Sequence, residues 1–156
     1  MLSILELALQ ICNESTDADE ASKSSVYVDT HFAMGAITAG TNDHDGSVYH
    51  HKCALTEQLK TREREDVLDV RLARCYNELG TGRMEAGDLQ GSIDAFLESL
   101  RIDKELGVYP YNWVCEANLG LSYIYIGDLE EAEVVLEGTL KRREEKFGKD
   151  DRESYR

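Results

Sequence analysis

The sequence aligns with itself. "YNELGTGRMEAGDLQGSIDAFLESL" (76–100) lies on "EANLGLSYIYIGDLEEAEVVLEGTL" (116–140) without a gap, at an offset of 40. A chain with such a period folds as stacked copies of one supersecondary unit, each burying its apolar face against the next. Six positions are identical: Leu79, Gly80, Gly87, Asp88, Leu89 and Leu100 recur as Leu119, Gly120, Gly127, Asp128, Leu129 and Leu140.

Each copy reads as two helices joined by a tight turn. Val114, Ala117, Leu121, Ile124 and Tyr125 follow helical spacing, and so do Leu129, Ala132, Leu136 and Leu140 after them. "GDL" separates the two runs: a glycine takes the left-handed conformation that ends one helix, and an aspartate caps the next. Gly80 and Gly120 fall inside the first helices, where glycine costs about 1 kcal/mol relative to alanine. Their presence predicts a close approach of the partner helix, with the small residues Ser92 and Ala132 at the matching points.

A third copy emerges at an offset of 45. "GSVYHHKCAL" (46–55) then lies on "GSIDAFLESL" (91–100), and Gly35 falls on Gly80. His51 takes the place of Phe96 and Leu136, facing the neighbouring helix, while His50 faces outward. The five extra residues fall around Thr61 to Asp66, as a longer second helix or a looser link. Before this copy, "DADEASKSS" (17–25) reads as a polar link, and "LSILELALQICNES" reads as a second helix that packs through Leu5, Ala8 and Leu9. The division is therefore 1–14, a second helix of an incomplete repeat; 22–62, 66–107 and 110–147, three helix pairs; and 148–156, the start of a further helix or a tail. Both ends read as open, which implies a piece of a longer array or ends completed by self-association.

Composition agrees with an all-helical chain: 156 residues hold one proline, 42% hydrophobic and 31% charged residues. The net charge of −14 argues against nucleic acid and anionic membrane as partners. Its basic clusters, "KTRER" and "LKRREEK", carry glutamates and read as solvated helix faces. The four cysteines are far apart, with no C-x-x-C pair and no secretory leader, which points to a reducing, cytoplasmic setting. "MLSILELALQIC" contains Glu6 and Gln10 and is too short to span a bilayer.

The stretch "TNDHDGSVYHHKC" (41–53) has metal-ligand chemistry, with three of the four histidines, two aspartates and a cysteine. His50 and Cys53 can share a helix face, but zinc needs two ligands more. As a calcium loop the stretch would put Lys52 where the terminal glutamate belongs. The expectation is no metal and no cofactor, and a histidine at 51 that packs.

The helix pairs resemble the tetratricopeptide repeat in Leu119, Gly120, Tyr123, Gly127, Ala132 and Leu140, and in Leu79, Gly80, Gly87, Phe96 and Leu100. Arg83 departs from the pattern at the aromatic position. The 40-residue period and "LKRREEKFGKDD" are similar to the long repeats of the kinesin-light-chain type. The resemblance implies a right-handed α-solenoid of antiparallel pairs, about seven helices, with the first helices lining a concave groove. It implies a non-enzymatic interaction module or scaffold that binds a partner's peptide or helix, of basic or apolar character, in that groove. The groove residues so implied are Asp29, Phe32 and Ala36, then Arg74, Asn77, Thr81 and Met84, then Val114, Asn118, Leu121 and Tyr125. Asn118 matches the asparagine that such repeats place on a bound peptide's main chain. Alternatives are a homo-oligomerisation segment of a larger signalling protein, dimerising through its open ends, and a small helical-repeat enzyme or biosynthetic accessory protein. No nucleophile–base pair or phosphate loop supports the enzyme.

Overall fold

The computed structural model of the chain describes residues 2–65, 68–107 and 112–148. Among these residues there are seven helices and no strand: α1 (Leu2–Glu14), α2 (Glu20–Gly40), α3 (His44–Glu65), α4 (Val70–Glu85), α5 (Leu89–Glu105), α6 (Trp113–Ile126) and α7 (Leu129–Phe147). Each helix packs on the next in chain order, and α4 also touches α2 and α6. The chain is thus a helical solenoid of three pairs, α2/α3, α4/α5 and α6/α7, with α1 laid against α2. Of the expected 148–156, the start of a further helix or a tail, residues 149–156 lie outside the described residues, as do 66–67 and 110–111 at the edges of the expected pairs.

The turns are set by local chemistry. Gly87 and Gly127 hold φ of 84° and 85°, and Asp88 and Asp128 accept hydrogen bonds from Gly91 N and Glu131 N at the start of α5 and α7. In the first pair Asn42 takes the left-handed position, φ 65°, and Asp43 accepts from Gly46 N at 2.9 Å. "TND" is therefore the counterpart of "AGD", with asparagine in the glycine's role. The helix α3 begins at His44.

Residues 20–25, expected in a polar link, form the first turn and a half of α2. Asp19 caps that helix by accepting from Ser22 N at 2.7 Å, and Ser24 is buried against Thr61. The extra length between the first two copies is absorbed by α3, which continues to Glu65.

The interior glycines face large side chains across each pair, not the small residues first expected there. A Cβ on Gly35 would meet the His51 ring, one on Gly80 the Phe96 ring, and one on Gly120 the side chain of Leu136. The small residues serve the contact between pairs. Ser92 donates to Ser122 of α6 at 2.9 Å, and Ser47 faces Gly82 of α4. Ile93 and Phe96 pack on Cys115 and Leu119, so the second pair is closed by the third. A separate cluster of Leu72, Ala73 and Ile102 holds the second pair together, with Leu55 and Leu59 against it from α3.

The third pair is stitched differently. Glu116, 3% exposed, stands where the second pair has Tyr76, and it accepts from Thr139 at 2.9 Å and from Arg142. Gly138, which interrupts the match to Glu98, leaves the space that Arg142 crosses. Trp113 packs edge-on to Phe147 and under the cations of Arg143 and Lys146, tying the end of α7 to the start of α6.

Candidate functional site

The first helices of the three pairs make one continuous wall, because side chains of each reach the one before. Arg71 of α4 donates to Ser25 Oγ at 2.9 Å and to Asp29 Oδ1 at 2.8 Å. The Arg74 guanidinium lies 4.6 Å over the ring of Phe32, and its Nε is 4.0 Å from Glu78. From α6, Asn118 Nδ2 donates to Thr81 Oγ1 at 3.5 Å, while Thr81 donates to Asn77 O at 3.1 Å.

This geometry sorts the groove residues inferred from sequence. Phe32 is 7% exposed and belongs to the core with Val28, Ala54 and Cys75, and Arg74 covers its outer face. Ala36 and Asp29 are exposed. Asn77, Thr81, Met84 and Asn118 are half-buried along the seam between α4 and α6, and Asn77 Oδ1 has no hydrogen-bond partner among the described residues. On α6, Val114, Leu121 and Tyr125 are 64%, 39% and 61% exposed. Ile124, not included in the sequence-based lining, is exposed beside them.

Two contacts were missed from sequence. Arg71 ties α4 to α2 through Ser25 and Asp29, yet it precedes the motif and has no periodic mark. The second is a pair of imidazoles: His31 Nδ1 and His50 Nδ1 are 3.0 Å apart, so His50 faces its partner helix and not outward. The offset of 45 held a signal, since it puts His31 at Tyr76, which is half-buried against the second pair's core.

Burial pushes the thiols of Cys75 and Cys115 up to about 12, so both stay protonated at neutral pH. Among the described residues, no group of three or more His, Cys, Asp or Glu side chains is arranged to hold a metal ion. No described helix is long and apolar enough to cross a membrane.

Stacked helix pairs with a shared inner wall define a helical-repeat solenoid, a class of scaffold in which each unit contacts only its neighbours. Residues 117–153 match the family model described as Tetratricopeptide repeat, which supports the reading of the solenoid as tetratricopeptide-like. The matched segment takes in most of α6 and all of α7. No curated protein matches the chain. Repeats of this family are protein–protein interaction modules and are generally non-enzymatic.

Proposed function

We propose that the chain binds a peptide or helix of a partner protein along the wall formed by α4 and α6. The observation that carries this reading is the row of Val114, Leu121 and Tyr125, spaced by seven and four residues on α6, with Asn118 between them. Three large apolar side chains open to solvent on one helix face are anchors for apolar side chains of a ligand. The Asn118 amide both donates and accepts, and its bond to Thr81 is long enough at 3.5 Å to be exchanged for a peptide main-chain group. The lower end of the wall, Arg74, Asn77, Thr81 and Met84, adds polar contacts and one thioether. A ligand with two or three apolar anchors and flanking basic residues suits this lining and the net charge of −14.

A peptide library displayed on phage and selected against the full chain tests the reading. Enriched peptides are expected to carry apolar residues at helical or extended spacing. Leu121→Asp and Tyr125→Asp should each weaken their binding at least tenfold, and Asn118→Ala should weaken it severalfold. Leu97→Asp, on the exposed side of α5, should leave it unchanged. Peptides that bind all four variants equally would place the binding surface elsewhere.

A further inference from the structure

All four histidines of the chain fall between residues 31 and 51, in one helix pair, and α4 to α7 contain none. Three of them meet inside that pair. The Nδ1 atoms of His31, 5% exposed, and His50 lie 3.0 Å apart, a hydrogen-bond distance that one Nδ1–H bridges. His51, also 5% exposed, lies against Gly35 and the Phe32 ring, and its Nδ1 has no partner among the described residues. We infer that mild acid selectively releases the first helix pair, α2 and α3, from a solenoid whose other two pairs remain folded.

In the neutral His31–His50 pair one ring donates Nδ1–H and the other accepts. A first added proton goes to the donor's Nε2 and leaves the bridge intact. A second has only the accepting Nδ1, and two N–H groups would then point at each other across 3.0 Å. A proton on His51 places a charge with no acceptor in an apolar pocket that Arg74 already makes positive. The folded pair therefore holds at most one of the three protons that the opened pair takes up.

The surrounding charges do not alter that count. Glu6 of α1 and Asp43 before α3 face His50 and favour its first proton. Tyr27 stacks on His31 at 4.4 Å and Tyr49 stands edge-on to His50 at 5.2 Å, both neutral in this range. His44 sits outside the cluster, 3.7 Å from Glu85 of α4. Burial holds His31, His50 and His51 all below the ordinary imidazole value, with the acids opposing it at His50.

With two protons taken up on opening, each pH unit below the ordinary histidine range favours the open pair about a hundredfold. Because contacts in a solenoid run only between neighbours, the loss need not spread to α5, α6 and α7. Opening would free Arg71 from Ser25 and Asp29 and lift Arg74 from Phe32. The wall would then lose its N-terminal end.

Hydrogen exchange read by mass spectrometry on the full chain, from pH 7.5 to 5.0 and corrected for intrinsic rates, tests this. Peptides from 20–65 should lose protection with a slope near two protons, and peptides from 89–105 and 113–147 should not. His31→Tyr with His50→Ala and His51→Phe brings in the residues of the second pair, Tyr76, Ala95 and Phe96, and should remove the dependence. His51→Phe alone, which keeps the bridge, should reduce the slope by about one proton. Loss of protection in all helices together, an unchanged slope in the variants, or no loss in 20–65 by pH 5.0 would each overturn the inference.

Discussion

Replacing Gly80 with alanine should destabilise the protein, although alanine is the better helix former. The added Cβ would stand 2.7, 2.8 and 3.0 Å from Cε1, Cδ1 and Cζ of Phe96, against an ordinary contact of about 3.5–4 Å between carbons. Phe96 is fully buried and locked by Ile93, Cys115 and Leu119, so its ring can move only if α5 or α6 moves with it. Overpacking costs about 1–3 kcal/mol, and contacts of 2.7–3.0 Å on a locked ring put this site in the upper part of that range, about 2–3 kcal/mol, of which the gain in helix propensity returns about 1 kcal/mol. The net loss is about 1–2 kcal/mol, or a Tm lower by about 3–6 °C for a chain of this length. Gly120→Ala meets Leu136, which is only half-buried and can rotate away, so the two terms should cancel to within about 0.5 kcal/mol. Urea and thermal unfolding of both variants measure the difference. The decisive test is the coupling: in a Phe96→Val background, Gly80→Ala should cost less than in the parent. A Gly80→Ala protein as stable as the parent, or full additivity with Phe96→Val, would refute the close-approach argument.

Substitutions at two further sites exploit differences between pairs. Ser47 Oγ is buried with no partner among the described residues, whereas its counterpart Ser92 bonds to Ser122. Gly82, the counterpart of Ser122, leaves contacts of 3.3–3.5 Å around a new Cβ, so Gly82→Ser should raise stability by about 1 kcal/mol, and Gly82→Ala by less, in the same urea titration. Arg142→Met strands the buried Glu116 carboxylate and should cost about 3 kcal/mol at pH 7, while Glu116→Tyr with Arg142→Ile, the residues found at Tyr76 and Ile102, should recover most of it. A double variant no more stable than Arg142→Met would show that the ion pair is not what these positions supply.

What was legible in the sequence is what repeats. Gly80 and Gly120, the Asp88 and Asp128 caps and the place of His51 opposite Gly35 all follow from two offsets, because each copy must solve the same packing problem with the same geometry. What was misread is what a single copy solves in its own way. Asn42 does the work of Gly87 with a side chain that tolerates the left-handed region, so this turn carries no glycine to mark it. Serines at 22, 24 and 25 looked like a link because they are polar, yet each is spent on a cap, on Thr61 or on Arg71.

The groove shows the same division at higher stakes. Phe32 and Val114 were both inferred to line the groove, but Arg74 lies over Phe32, which is 7% exposed, whereas Val114 is 64% exposed. The cover on Phe32 comes from α4, one repeat away, and no periodicity in α2 alone could reveal it. The first pair is closed by aromatic and imidazole contacts, on which the inferred acid opening rests, and the last pair by a buried carboxylate–guanidinium bond and a Trp113–Phe147 edge contact. The proposed acid-sensitive end and the proposed ligand anchors thus lie at opposite ends of one wall. If both proposals hold, the anchors on α6 are expected to remain in place under acid conditions that open the first pair.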